Sequence, residues 1–143
     1  MTQDHGKGRG NMPQHQGFGH LTLTVTDLER SADFYNRLLG SQTALASEDH
    51  LGPFIVCMGP GFMVGLRKWA QTASDDSFLF SRVGLDHMGV HVESRDELEK
   101  WVAHLRENGV ESSGMVESPF GLHLHAKDPD GIAIEFFVAA QQS

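Results

Sequence analysis

Cysteine is nearly missing: Cys57 is the single one in 143 residues. That excludes a disulfide within the chain, and its place in an apolar run fits a reducing compartment, where a buried thiol acts as a small hydrophobe. Basic residues are also scarce, eleven against nineteen acidic ones for a formal charge of -8, and they are scattered. Neutralising phosphates takes clustered Lys and Arg, so nucleic acid is excluded as a partner. No apolar run approaches the ~20 residues of a membrane span, and the N-terminus has no signal-peptide core. The expected location is therefore the cytoplasm, with no membrane partner. With 39% hydrophobic residues, the chain is long enough for one compact domain and too short for two independent ones.

What is present occurs twice. His20 stands five residues before Val25, and His87 stands five before Val92. Asp27 and Ser94 lie seven beyond their histidines, and Phe34 and Trp101 lie fourteen beyond. Aligning the turns pairs Met58-Gly59-Pro60-Gly61 with Asp128-Pro129-Asp130-Gly131, which makes Gly65 the counterpart of Glu135. Two similar modules follow one another, 18–80 and 81–139. Before them, residues 1–17 are rich in Gly, Gln and His with little to bury. They are expected to form a mobile tail in which His5 and His15 are solvated. Residues 140–143 close the chain as a second short tail.

Local patterns assign each module the order βαβββ. Phe18 to Val25 alternates, with Leu21, Leu23 and Val25 on one face and His20, Thr22 and Thr24 on the other. Asp27 suits an N-cap for a helix over 28–39 that Gly40 stops. Strands are expected over 42–47, 53–58 and 62–67, followed by a polar connection over 68–77. In the second module Met88, Val90 and Val92 oppose His87, Gly89 and His91. Ser94 and Glu97 have capping-box spacing, and Leu98, Trp101, Val102 and Leu105 form the buried stripe of a helix ended by Gly109. Three strands are expected from Ser112 onward, the clearest over 122–126 and 132–138, joined by the Asp-Pro-Asp-Gly turn. Leu122 and Leu124 then face the helix, and His123, His125, Glu135 and Phe137 face the other way.

The result is a polar strand face carrying several histidines and a glutamate. His20, His87 and Glu135, at matched module positions, form a candidate metal site of two neutral imidazoles and one carboxylate. Three protein ligands leave coordination positions open, as in catalytic rather than closed structural sites. Such a set suits Fe(II), and also Mn(II) or Zn(II). His91 and His123 lie on the same face, Arg67 is a candidate for an anionic substrate group, and Phe120, Phe137, Met63 and Trp69 are candidate apolar walls. His50 and His104 are expected at the surface.

Gly19-His20-Leu21-Thr22-Leu23-Thr24-Val25 with Asp27, Phe34-Tyr35 and Leu38-Leu39-Gly40, then Leu85-Asp86-His87 and Asp128-Pro129-Asp130-Gly131 followed by Glu135, together resemble the vicinal oxygen chelate superfamily. It includes glyoxalase I, extradiol dioxygenases, fosfomycin-resistance thiol transferases and bleomycin-binding proteins. The resemblance covers residues 18–139 and implies an α+β fold, with two tandem βαβββ modules forming a cupped, barrel-like mixed sheet and helices on the outside. It implies His20, His87 and Glu135 as ligands of a divalent metal that chelates adjacent oxygens of a small organic substrate. Glyoxalase-type members usually carry a fourth ligand where this chain has Gly65, whereas dioxygenases and the fosfomycin enzymes use three; the loop Ser112 to Gly121 has no Lys or Arg to hold a phosphonate, so dioxygenase chemistry with Fe(II) is the slightly preferred expectation. Isomerase, lyase or thiol-transferase chemistry and non-catalytic drug binding are the alternatives. His125 takes the place of a tyrosine that often stands ten residues before the carboxylate ligand, and it is the expected catalytic proton carrier. Thr22, Arg67, His91, Phe120, His123 and Phe137 are the expected substrate-binding residues. In similar proteins two chains often assemble each cup, which makes a homodimer the expected state.

Overall fold

The computed structural model describes residues 10–140, so His5 and the last three residues lie outside it. The first module runs β1 (Leu21–Thr24), α1 (Leu28–Leu39), β2 (Gln42–Asp49), β3 (Gly52–Gly59) and β4 (Phe62–Arg67). The second runs β5 (Met88–His91), α2 (Arg95–Glu107), β6 (Ser112–Ser118), β7 (Gly121–Lys127) and β8 (Ala133–Ala139). Two four-stranded sheets result, in the orders β1-β4-β3-β2 and β5-β8-β7-β6. In each, the first strand pairs in parallel with the last and the other pairs are antiparallel. The expected α+β pair of tandem βαβββ modules is present. The sheets are cupped but remain two, and they do not close into a barrel within the chain. Among the described residues, no helix is long and apolar enough to cross a membrane.

Each helix begins and ends for local reasons. The Asp27 carboxylate accepts the Arg30 N–H, and Gly40, at φ 70°, takes the left-handed turn that ends α1. At α2 the Ser94 hydroxyl accepts the Glu97 N–H. The expected capping box is only half made, because the Glu97 carboxylate pairs with Lys100 one turn on. After α2, Gly109 at φ 68° lets the Val110 N–H reach the Leu105 carbonyl, a Schellman closure.

Alternation on the strands sorts the core from the site. Leu23, Val25, Val64 and Leu66 are buried in the first module, as are Leu124, Ile134 and Phe136 in the second, and all belong to one hydrophobic cluster with Tyr35, Leu38, Leu98 and Leu105. Trp101 stacks on Phe136 with ring centroids 4.6 Å apart. Full burial of a side chain such as Phe136 contributes about 1.5–3 kcal/mol. The core is continuous because the modules join on their helical sides.

Among the described residues, the side-chain hydrogen bonds between the two modules all involve α1 or its lead-in, and the Phe78 N–H adds a backbone bond to the Asp130 carbonyl at 2.9 Å. Thr26 and Arg30 reach Asp130, the Tyr35 hydroxyl donates to Asp128 at 2.8 Å, Arg37 donates to Asn108, and the Leu38 carbonyl meets His104 Nε2 at 2.9 Å. His104 is thus a joint between helices rather than the surface residue its position suggested. Asp128 is the hub, because its other oxygen accepts the N–H groups of Asp130 and Ile132. Burial pushes the Asp128 carboxyl up despite those bonds. It also drives the Tyr35 hydroxyl far above its ordinary range, with the Asp128 charge adding to the effect, so Tyr35 stays a donor.

His20 and His91 both border a cavity of about 740 Å³ between the modules, lined also by Leu21, Tyr35, Met88 and Trp101, and Glu135 does not line it. The strands β1 and β5 end their sheets with unpaired edges.

Candidate metal centre

The second module gathers most of the expected site. β8 carries Glu135 between the buried Ile134 and Phe136, so its side chain must emerge on the polar face, where it is 18% exposed. The antiparallel register sets His125 opposite Glu135 and His123 opposite Phe137, and the parallel register sets Gly89 opposite Glu135. Three imidazoles therefore surround the carboxylate. His87 Nε2 lies 3.7 Å from Oε2, His125 Nδ1 lies 3.9 Å from Oε2, and His123 Nδ1 lies 3.3 Å from Oε1. Among the described residues no Lys or Arg pairs with Glu135.

The orientation of His87 decides what this arrangement can hold. In the neutral tautomer whose Nδ1–H donates to the Asp86 carboxylate across 2.7 Å, Nε2 is the lone-pair nitrogen, 3.7 Å from Glu135 Oε2. An imidazole lone pair and a carboxylate then confront each other, two acceptors with no proton between them. A proton on Nε2 or a metal cation shared by both resolves that conflict, and a carboxylate on the remote ring nitrogen is the usual companion of a metal-ligating histidine. The donor set fits a divalent metal. Asp86 was missed as a functional residue by residue-by-residue reading, although the Asp-His pair stood in the motif.

The first module offers a complementary face. His20, just before β1, borders a cavity of about 220 Å³ with Thr22, Phe54, Met63, Gly65 and Arg67. Thr22 and Gly65 are register partners. A Cβ at position 65 would meet the Thr22 hydroxyl at 2.7 Å, so the threonine occupies the room a fourth ligand would need. Arg67 is already engaged: it donates two hydrogen bonds to the Asp49 carboxylate at 2.8 and 2.9 Å, and its guanidinium lies over the rings of Phe54 and Trp69. The hydrogen bond from Arg67 holds the Asp49 carboxyl at about 2, below the usual carboxylate range. The expected role of Arg67 toward an anionic substrate would require breaking that pair.

His20 is not brought to the others. Among the described residues of one chain, no three His, Cys, Asp or Glu side chains are arranged to hold a metal ion. No hydrogen bond or ion pair links His20 to His87 or Glu135. Of the remaining expected residues, His91 stacks on Phe137 with centroids 5.1 Å apart. His123 is tied to Glu135, and Phe120 projects from the β6–β7 hairpin, 80% exposed. His125 is half exposed beside Glu135, its backbone N–H held by Ser113.

Comparison with known proteins places this geometry in a family. A trivalent organoarsenical cleaving enzyme from Bacillus sp. strain MD1 is 30% identical over 129 residues, spanning 84% of this chain and 71% of that enzyme. A glyoxylase/bleomycin resistance protein/dioxygenase domain from Frankia sp. EAN1pec is 29% identical, with a TM-score of 0.82 over 91% of this chain and 96% of that one. The genomically encoded fosfomycin resistance protein of Listeria monocytogenes, in a mutant form complexed with Mn(II) and a dihydroxypropylphosphonic acid, shares the fold. It is 17% identical, with a TM-score of 0.69 over 89% of this chain and 93% of its own. The family model of the Glyoxalase/Bleomycin resistance protein/Dioxygenase superfamily matches residues 17–136, and the chain belongs to that superfamily.

Proposed function

We propose that this chain is a metal-dependent enzyme that acts on a small organic molecule chelated through adjacent oxygens, with His20, His87 and Glu135 as the metal ligands. The observation that carries the reading is the confrontation of the His87 Nε2 lone pair with Glu135 Oε2 at 3.7 Å. The cup is completed between two copies of the chain. His20 of one copy joins His87 and Glu135 of the other, a reading supported by the absence, among the described residues of one chain, of three such side chains gathered to hold a metal. The unpaired edges of β1 and β5 support that assembly.

A bound divalent metal supplies Lewis acidity toward a chelated hydroxyl or enol and, as Fe(II), a site for dioxygen. The chain's own residues do the rest. His125, half exposed and 3.9 Å from Glu135, is placed to take the proton that leaves the substrate oxygen. Phe137 and the stacked His91 form a flat wall for the carbon skeleton. Thr22 stands where a fourth ligand would be, which keeps coordination positions open and favours dioxygenase-like chemistry over the four-ligand isomerases.

The substrate of the organoarsenical-cleaving relative does not carry over. Trivalent arsenic is a soft centre that seeks thiolates, and Cys57 is the single cysteine, fully buried on the core side of β3 with its thiol pushed up by burial.

Protein purified anaerobically and loaded with Fe(II) is expected to take up oxygen with catechol-like compounds. Metal binding without uptake across a broad panel favours the Lewis-acid isomerase and transferase class. Tight binding of flat aromatic drugs that is indifferent to chelators would overturn the enzyme reading.

A further inference from the structure

Of the imidazoles around Glu135, His123 differs from the other two. Its side chain is 19% exposed against 45% for His87 and 53% for His125, and both its ring nitrogens are engaged. Nε2 lies 2.8 Å from the Ser118 hydroxyl, and Nδ1 lies 3.3 Å from Glu135 Oε1. A residue saturated in this way has no atom left to offer a substrate, which was its expected role.

The proton positions along this chain follow from what each group can donate. The Phe120 N–H donates to Ser118 Oγ at 3.1 Å, so the serine accepts there and has one hydrogen to give. That hydrogen can go to His123 Nε2 at 2.8 Å, where that nitrogen is the unprotonated one, or to the Gly121 carbonyl at 3.5 Å, and the shorter contact is the better bond. With Nε2 as acceptor, a neutral His123 carries its proton on Nδ1 and donates it to Glu135. The hairpin backbone anchors the relay. Gly121 sits at φ 125°, and a Cβ there would fall 2.0 Å from the Val138 carbonyl, so β6 and β7 can turn against β8 only with glycine at this point.

We propose that Ser118 and His123 are positioning residues that hold Glu135 as a one-oxygen ligand. The Phe120 N–H, the Ser118 hydroxyl and the His123 Nδ1–H act in series on Oε1, and Oε2 is left toward His87 and His125. The proposal rests on the metal-site reading above, and it assigns a directional chain of three hydrogen bonds to a pair of residues that touch neither metal nor substrate. An unrestrained glutamate could rotate to offer both oxygens and occupy two coordination positions. Pinning Oε1 keeps one of them free.

Two measurements test this with separate points of failure. Nitrogen-15 NMR of the metal-free protein, well above the imidazole titration range, is expected to find His123 with its proton on Nδ1. In Ser118→Ala the proton should shift toward Nε2, and Ser118→Thr, which keeps the hydroxyl, should restore the original form. An Nε2-protonated His123 in the unaltered protein overturns the relay whether or not the protein binds metal. Second, Mn(II) affinity measured by chelator competition is expected to fall 10- to 100-fold in His123→Phe, by about the range such outer partners contribute. It should fall less in Ser118→Ala and recover in Ser118→Thr. Equal affinities in all four proteins overturn the positioning role. An unaltered protein that binds no Mn(II) counts against the metal reading instead, and the tautomer then decides the relay.

Discussion

The two modules repeat one architecture but divide its polar face differently. Thr22 faces Gly65 across the first module's parallel pair, and Gly89 faces Glu135 across the second's. The first pair has room for one projecting side chain, because a Cβ at Gly65 strikes Thr22, whereas a Cβ at Gly89 meets no atom of Glu135 and touches the Phe137 ring at 3.3 Å. The first module gives its space to a hydroxyl on its first strand, and the second carries a carboxylate on its last. A duplicated fold thereby carries a single carboxylate at these matched positions rather than two, and in the proposed site the open coordination would follow from packing as much as from the missing ligand. The same asymmetry governs the flanks, where Arg67 in the first module, locked to Asp49, has Phe137 as its counterpart in the second.

The sharpest way to break the comparison is to disable the second module's donors. His87→Ala and Glu135→Ala are each expected to lose stoichiometric metal, as measured by metal analysis of anaerobically purified protein, while Gly65→Ala keeps it. Stoichiometric metal in His87→Ala would refute the ligand assignment. Next in size is the joint on which both modules depend. Tyr35→Phe leaves the buried Asp128 oxygen without its donor and is expected to cost about 2–3 kcal/mol in denaturant unfolding. The corresponding residue in the second helix is Val102, which has no hydroxyl, so Val102→Ala tests packing alone.

A third change swaps the modules' roles. Gly65→Glu is expected to destabilise by about 1–3 kcal/mol through its clash with Thr22. Adding Thr22→Ala relieves that loss and raises metal affinity by supplying a fourth ligand. Additive destabilisation in the double variant would show that the two positions do not share space. The smallest effect concerns the Arg67–Asp49 pair. Because the folded Asp49 pKa is lowered, the pair's contribution is present above the ordinary carboxylate range and is lost as pH falls toward about 2. An NMR titration of the Asp49 carboxyl should follow that course, and Arg67→Ala should move it up toward the usual range, with the Leu51 N–H still acting to lower it.

Much of this was legible in the residue pattern because period and turn chemistry are local. The helix at 28–39 and the strand at 62–67 lie where alternation and Gly40 placed them, and the Asp-Pro-Asp-Gly turn joins the last two strands as its residues require. The gathering of His87, His123, His125 and Glu135 also followed from alternation, since one buried face dictates the other. Three features were not legible. The consumption of Arg67 by Asp49 joins residues on different strands, the bond of His104 to the Leu38 carbonyl crosses between modules, and Ser118 reaches His123 only through the turn of a hairpin. Each depends on which faces meet, which spacing along a single strand does not encode. The separation of His20 from His87 has the same origin, because the modules are bonded through α1 and its lead-in, with Tyr35 and Thr26 reaching the turn between β7 and β8 and Arg37 reaching the end of α2.

The central claim, a metal held by residues of two chains, is tested most directly by mixing two inactive proteins. His20→Ala and His87→Ala are each expected to lack a complete site. A mixed dimer formed from them by unfolding and refolding together would pair the intact His20 of one chain with the intact His87 and Glu135 of the other. The account predicts that one tightly bound metal per mixed dimer reappears. A mixture that refolds as dimer and binds no more metal than its two components would contradict it.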